Sequence, residues 1–152
     1  MYQRILVPID GSVTSERGLD EALAIAAQLK STVRLIHVMD EASLVMNTAA
    51  FAVNVGGLLT SLAKAGEEIL CAGQLRAKER GQFVETVLRH CAAGRVADVI
   101  VKEATQWPAD LIVLGTHGRR GAERLLLGSD AEQVLRTAPM PVLVVRDGGT
   151  RR

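Results

Sequence analysis

The sequence lacks an excess of charge of either sign. Its 18 lysines and arginines are balanced by 17 aspartates and glutamates, so the formal net charge at pH 7 is +1. A protein that binds nucleic acid through its phosphates usually shows a clear basic surplus. We therefore expect no nucleic-acid partner.

Cysteines and long apolar runs are also scarce. The two cysteines, Cys71 and Cys91, lie too far apart to form a CxxC redox or zinc motif. We interpret both as small buried residues in a reducing compartment. The apolar run after Met1 is too short for a signal peptide, and two asparagines and two glycines interrupt residues 42–62 as a membrane span. These features predict a cytoplasmic protein without a membrane segment.

Short apolar runs alternate with helical patterns along the 152 residues. We place one domain at residues 1–147 and expect the tail, residues 148–152, to be frayed. Strands are predicted at residues 5–9, 32–38, 83–88, 111–114 and 142–145. Helices are predicted from Ser12 or Thr14 to residue 29, and at residues 58–80, 94–107 and 129–137. In the second helix, Gly66 and Gly73 indicate close packing, and Leu75 is counted among the buried positions.

This alternation predicts an α/β fold, a doubly wound five-stranded parallel sheet with helices on both faces. Because the first and fourth strands are entirely apolar, they belong in the middle, which favours the strand order 3-2-1-4-5. The chain leaves strands 1 and 4 toward opposite edges of such a sheet. Ligands bind at the carboxyl ends of the strands at this switch point, where the loops begin at Asp10 and Gly115.

A glycine-rich loop follows the fourth strand. It contains Gly115, Gly118 and Gly128 and leads into a helix at Ser129. Glycines let phosphate oxygens approach backbone N–H groups, and the helix N-terminus adds the positive end of its dipole. Arg119 lies in the same loop and would add positive charge. The loop is therefore a candidate phosphate site.

Two side chains in this region have two interpretations each. The Ser129 hydroxyl either donates to a phosphate or caps the helix that follows. His117 either touches a phosphate or is an ordinary surface histidine. The sequence leaves both questions open.

The glycine spacing resembles the universal stress protein family, whose ATP-binding branch carries Gly-x2-Gly-x9-Gly-Ser/Thr after the fourth strand. Gly115, Gly118, Gly128 and Ser129 stand at those intervals with no insertion. Residues 5–12, 35–38, 109–115 and 138–145 also look like the family, whereas residues 39–57 match no pattern of it. The resemblance implies an adenine nucleotide alpha hydrolase-like fold that binds ATP, with Mg²⁺ or Mn²⁺ on the phosphates.

The resemblance also implies which residues form the nucleoside end of the site. Pro8, Ile9 and Asp10 would line it, with the Asp10 carboxylate accepting from a ribose hydroxyl or reaching a phosphate-bound metal ion. Backbone groups of Val38 would meet the adenine edge. No particular side chain is needed for that contact.

The ribose and the phosphates would lie against the loop after the fourth strand. The resemblance implies that Leu114 and Gly115 border the ribose and that Gly118, Gly128 and Ser129 surround the phosphates. His117 and Arg119 belong to the same candidate set.

One position departs from the family pattern. Small or hydroxylated residues often follow the serine, but this chain has Asp130 and then Ala131. A carboxylate at a helix N-terminus is favourable by about 0.3–1 kcal/mol. Close to a triphosphate it is repelled, unless a divalent cation lies between them. We include both residues in the site and expect Asp130 to affect affinity and the number of phosphates bound.

No catalytic residue is predicted. The three histidines do not cluster as metal ligands, and no Ser-His-Asp or Cys-His pairing follows from the spacing. Because no base for activating water is evident, we expect slow or absent ATP hydrolysis. His37 and His90, which the pattern puts at strand ends, are given structural roles, and Trp107 is interpreted as a partly buried anchor.

Other α/β proteins fit less well. A receiver domain needs an acidic phospho-acceptor after strand 3, where this chain has Arg89, His90 and Cys91. A P-loop NTPase needs Gly-x4-Gly-Lys-Ser/Thr, and a Rossmann dehydrogenase needs its glycines after strand 1. One alternative stays open, a family member that does not bind ATP and acts as an interaction module. It would form a homodimer through its apolar edge strand, Val142–Val145.

Overall fold

A single parallel sheet with helices on both faces organises the chain in a computed structural model that describes residues 1–48, 54–116 and 127–146. The strands are β1 Arg4–Pro8, β2 Thr32–Asp40, β3 Val84–Cys91, β4 Leu111–Gly115 and β5 Val142–Val145. The helices are α1 Val13–Leu29, α2 Glu41–Thr48, α3 Val55–Glu79, α4 Val96–Gln106 and α5 Ser129–Thr137. The strand order is β3-β2-β1-β4-β5, which confirms the fold class predicted from the sequence.

Strand β1 occupies the centre of the sheet because both of its faces are apolar. Ile5, Leu6 and Val7 are each completely buried. Side chains alternate between the two faces of a strand, so Ile5 and Val7 pack under α1 and α3 while Leu6 packs under α4 and α5. The predicted central position of the first and fourth strands follows from this double burial.

Two glycines of α3 let this helix lie close to the sheet. A Cβ at Gly66 would stand 2.8 Å from His37 Cδ2 and from Leu88 Cδ1. A Cβ at Gly73 would stand 2.7 Å from Leu35 Cδ1. Real Cβ atoms do not approach that closely without a shift of their neighbours, so the predicted close packing is confirmed.

Several local predictions are wrong. Helix α2 lies inside a segment for which no helix was predicted. Strand β2 continues to Asp40, so His37 is an interior residue of the strand and not its end. Leu75 is 57% exposed and Cys71 is exposed, because α3 covers the sheet with only one of its faces. Gly94 has φ +83°, which is incompatible with the helix predicted to include it.

Two further predictions from the sequence concern a membrane segment and the C-terminal tail. No helix within the described residues is long and apolar enough to cross a membrane. The predicted frayed tail lies outside the described residues.

A buried carboxylate joins α4 to the edge of the sheet. Glu103 is 2% exposed, and its two oxygens accept from Arg34 Nη1 at 2.9 Å and from Arg89 Nε at 2.7 Å. Arg34 also donates to Glu85, and its guanidinium lies 4.4 Å from the centre of the partly buried Trp107 ring. Burial alone would raise the pKa of Glu103, but the hydrogen bonds from Arg89 and Arg34 outweigh burial and hold the pKa below its ordinary value of 4.5.

We predict that Glu103→Gln lowers the free energy of unfolding at pH 7 by about 1–3 kcal/mol, since hydrogen bonds to charged groups are lost in a buried position. The lowered pKa of Glu103 means that its charge stabilises the protein above pH 4.5, and that this contribution is lost as the pH falls through the folded-state value. The difference between wild type and variant should therefore shrink in acid. Urea unfolding at pH 7, 5 and 3 measures it.

The matched control is Glu132→Gln, which breaks an exposed ion pair with Arg136. Exposed pairs contribute roughly 0–1 kcal/mol. Equal losses of unfolding free energy in Glu103→Gln and Glu132→Gln would contradict the larger stabilising role assigned to Glu103.

Candidate functional site

A cavity of about 640 Å³ opens at the carboxyl ends of β1, β2 and β4, at the predicted switch point. It is bounded by the strand ends, by the start of α5 and by α2. All ten of the predicted site residues that the structure describes are among those that line it: Pro8, Ile9, Asp10, Val38, Leu114, Gly115, Gly128, Ser129, Asp130 and Ala131. His117, Gly118 and Arg119 lie outside the described residues.

Unequal strand lengths open the β2 side of this cavity. The β1–β2 ladder ends where Pro8 pairs with Ile36, whereas β2 continues to Asp40. The Ile36 carbonyl still accepts from Ile9 N at 2.9 Å, so the polar backbone groups of Ile36 face β1. Alternate residues of a strand face the same way, so the N–H and C=O of Val38 face the side on which β1 has ended. Val38 lines the cavity there.

The turn after β1 is held by its own polar groups. Asp10 Oδ1 accepts from Ser12 N at 2.9 Å, and Gly11 at φ +80° supplies the backbone conformation that this turn requires. Ser12 then caps α1 by accepting from Ser15 N at 3.2 Å. The Asp10 carboxylate is thus oriented by the turn at the cavity wall.

Gly115 allows β4 to end against the first turn of α1. A Cβ at Gly115 would stand 2.5 Å from the carbonyl carbon of Thr14 and 2.9 Å from Ser15 N. From the helix side, a Cβ at Gly18 would stand 3.3 Å from Gly115 N. Packing therefore explains why a glycine stands at 115, whether or not a ligand touches it.

The start of α5 is fixed relative to the end of β4. Gly128 N donates to the Thr116 carbonyl at 2.7 Å, and Thr116 N donates to the Val145 carbonyl at 2.9 Å. Gly128 is the N-cap residue of α5 and Ser129 is its first helical residue, so the interpretation of Ser129 as the N-cap is wrong. Gly128 has φ −60°, which any residue can adopt.

The charged side chains that line the described part of the cavity are acidic. They are Asp10, Asp40 and Asp130, with no lysine or arginine among the described lining residues. Two of the same negative charges act on the nearby Cys91 thiol. Burial raises the pKa of this thiol, and the negative charges of Asp40 and Asp130 raise it further. Asp130 lies in the first turn of α5, where the helix dipole favours a negative charge.

Sequence reasoning missed the wall that α2 contributes. Ser43, Leu44 and Asn47 line the cavity, and Asp40 Oδ1 accepts from Ser43 N at 3.0 Å at the start of the helix. The one available signal was an aspartate, a typical N-cap residue, followed by fifteen residues without glycine or proline. His37 also lines the cavity, and its Nδ1 is 2.8 Å from the Ile9 carbonyl oxygen, in agreement with a structural role.

Comparison with known proteins identifies the family. The model described as the universal stress protein family matches residues 1–146. The chain belongs to the universal stress protein family. It is 37% identical to universal stress protein MJ0531 of Methanocaldococcus jannaschii over 147 residues, which cover 96% of this chain and 83% of that protein.

Solved structures of universal stress proteins share the fold of this chain. The structure of protein MJ0577 of Methanocaldococcus jannaschii matches with a TM-score of 0.83 and 28% identity, covering 99% of both chains. A universal stress protein solved in complex with cAMP matches with a TM-score of 0.68 and 26% identity, covering 97% of this chain and 98% of that one. These likenesses confirm the expected adenine nucleotide alpha hydrolase-like fold.

We predict that Gly115→Ala destabilises this universal stress protein by roughly 1–3 kcal/mol, because the added methyl group meets backbone atoms of Thr14 that cannot rotate away. Gly57→Ala is the control, since its Cβ would make an ordinary contact of 3.5 Å with Asn54 in the first turn of α3. Urea unfolding compares the two. Wild-type stability in Gly115→Ala would contradict the close contact of β4 with α1.

Proposed function

We propose that this universal stress protein binds an adenine nucleotide, ATP, in the cavity at the carboxyl ends of β1, β2 and β4. The observation that carries the proposal is the arrangement of the cavity walls. Backbone polar groups of Val38 lie at one end and the N-terminus of α5 lies at the other. A ligand with a flat hydrogen-bonding base and an anionic tail fits this arrangement.

The Val38 end suits adenine. A neighbouring N–H and C=O on one strand edge match the N1 acceptor and the N6 amino donor of adenine. Guanine presents a carbonyl oxygen and an N–H in the reverse order, which sets like polar groups against each other. The half-buried apolar side chains of Leu44 and Leu62 line the same cavity and can cover the faces of the base.

The distance between the two ends suits a nucleotide. Neighbouring strands lie about 4.8 Å apart, so β2 and β4, which flank β1, are separated by roughly 10 Å. One nucleotide can therefore reach from the backbone of β2 to the loop after β4. The ribose would lie between them, beside Pro8, Asp10 and Leu114.

The phosphate end would be formed by the first turn of α5 and by the loop before it. First-turn N–H groups have no acceptor within their own helix and attract anions. The Ser129 hydroxyl can donate to a phosphate, because it does not serve as the N-cap. We propose that Gly118, His117 and Arg119 complete this end.

A divalent cation is part of the proposal. Three carboxylates line the described cavity, and a triphosphate adds further negative charge. Mg²⁺ or Mn²⁺ on the phosphates would offset this repulsion, with Asp10 and Asp130 as the carboxylates able to face it. We propose binding without rapid turnover, to be checked by ADP formation during long incubation.

The proposal is tested by purifying the protein without added nucleotide, denaturing it and identifying any released adenine nucleotide by chromatography. Calorimetry with ATP and magnesium then gives the affinity. Neither released nucleotide nor binding at millimolar ATP would contradict the proposed function.

Gly128→Val should abolish ATP binding while leaving the far-UV circular dichroism spectrum unchanged. The φ of −60° at this position is open to valine, so the loss would come from the isopropyl group in the phosphate space and not from backbone strain. Gly57→Val, in the first turn of α3, is the control for adding the same group outside the cavity. Normal ATP binding by Gly128→Val would show that phosphates do not lie there.

Asp130→Ala should tighten ATP binding measured without metal. It should also reduce the difference between the ATP affinities measured with and without magnesium. The reason is the loss of a negative charge at the phosphate end. Asp98→Ala removes an equivalent carboxylate from the first turn of α4, outside the cavity lining, and should leave both affinities unchanged. Equal effects of the two variants would show that Asp130 does not face the phosphates.

A dimeric interaction module is the second candidate function. Strand β5 is an edge of the sheet, and Leu143 on it is 36% exposed. An apolar edge strand can pair with a second copy. We propose a cytoplasmic homodimer formed through Val142–Val145, which sedimentation of wild type and Leu143→Lys would test. A dimer that binds no nucleotide would favour this function over the first.

A further inference from the structure

Helix α2 presents both polar and apolar side chains to the cavity, and Val45, Met46 and Asn47 on it are exposed. Ser43 and Asn47, one helical turn apart, line the cavity together with Leu44. Val45 and Met46 are 45% and 79% exposed. A surface helix that packs on an apolar core buries an apolar stripe, whereas α2 buries none of its residues fully. The cavity side of α2 is therefore available to contact a ligand that carries both polar and apolar groups.

The Asn47 side chain offers hydrogen bonds toward this cavity. Its amide carries two donors on nitrogen and one acceptor oxygen. No hydrogen bond joins this amide to another residue within the described ranges, 1–48, 54–116 and 127–146. The helix itself has no fully buried residue, so apolar burial contributes little to its position.

Two polar contacts hold the first turn of α2 in place. Asp40, the last residue of β2, caps the helix through Ser43 N. Glu41 Oε1 accepts a hydrogen bond from His90 Nδ1 on β3, which ties the helix to the edge of the sheet. Because Val38 stands only two residues before Asp40, these contacts place α2 at the base end of the cavity and not at the phosphate end.

We propose that α2 closes the nucleoside end of the site, that Asn47 hydrogen-bonds the bound nucleoside, and that the Glu41–His90 contact positions the helix for this role. This proposal rests on the proposed nucleotide-binding function. It assigns a ligand-binding role to a helix for which the sequence predicted no function. Asn47 is a contact residue in it, and Glu41 and His90 are positioning residues.

The Asn47 part is tested by calorimetry with AMP, ATP and inorganic tripolyphosphate. Asn47→Ala should weaken AMP and ATP binding by the same factor, roughly 3- to 10-fold, which is the range expected for one hydrogen bond. Tripolyphosphate, which has no nucleoside, should bind equally to variant and wild type. Met46→Ala, on the outward face of the same helix, should change none of the three affinities.

The positioning part is tested by hydrogen exchange of residues 41–48. Glu41→Gln and His90→Gln should each speed exchange in the protein without ligand, and the double variant should resemble either single variant because both remove one contact. Both should also weaken ATP binding, and saturating ATP should slow exchange of residues 41–48 in wild type. Glu16→Gln, which breaks an exposed pair with Arg76 on α3, is the control.

The outcomes separate the two proposals. If wild type binds no adenine nucleotide, the proposed function fails and the role of Asn47 fails with it, while exchange in the free protein still decides whether Glu41 and His90 hold α2. If wild type binds ATP but Asn47→Ala and Glu41→Gln bind it equally well, and ATP leaves exchange of residues 41–48 unchanged, the α2 proposal is overturned. The nucleotide-binding function then stands without it.

Discussion

The site depends on the close contact between the end of β4 and the first turn of α1. A Cβ at Gly115 would stand 2.5 Å from a Thr14 backbone atom. Gly18, on the surface of α1 that faces Gly115, likewise places no side chain between the helix and the strand. Since α1 begins directly after the β1 turn, this contact holds the end of β4 beside that turn. It makes the switch point one continuous cavity. The glycine that begins the phosphate-loop pattern is therefore needed by the fold before any ligand is considered.

Charge limits what the cavity can hold. The N-terminus of α5 supplies the equivalent of roughly half a positive charge, which cannot by itself offset three carboxylates and a polyphosphate. Asp10 and Asp40 each accept a backbone N–H from a residue shortly after them, which orients their carboxylates. The described walls thus favour a neutral, hydrogen-bonding group near β2 and a charge-compensated anion near α5. This polarity would orient a nucleotide, the ligand that we propose, in one direction.

The sequence predicted the topology well because a strand that is buried on both faces is recognisable as a continuous apolar run. The apolar runs of β1 and β4 led directly to their central places and to the position of the site. Helix α2 has no comparable apolar pattern in the sequence, since it is eight residues long and buries none of them fully. Leu75 was misplaced for a related reason: the buried face of α3 consists largely of small residues, Gly66, Gly73 and Ala77, and an apolar residue on the other face looked equally suitable. The backbone role proposed for Val38 was implied by the family resemblance alone, since it depends on β2 extending beyond the end of β1, which side-chain patterns do not encode.

The hydrogen bond between Gly128 and Thr116 has a consequence for how the loop can vary. It joins the two ends of the intervening segment directly, at 2.7 Å, and Thr116 is in turn bonded to β5. The entropy of closing a loop grows only slowly with its length, so a segment pinned in this way can gain or lose residues at little cost to folding. The stability of the sheet therefore does not dictate the number of residues between Gly118 and Gly128. Any requirement for that interval must come from the function of the loop, which we propose is phosphate binding.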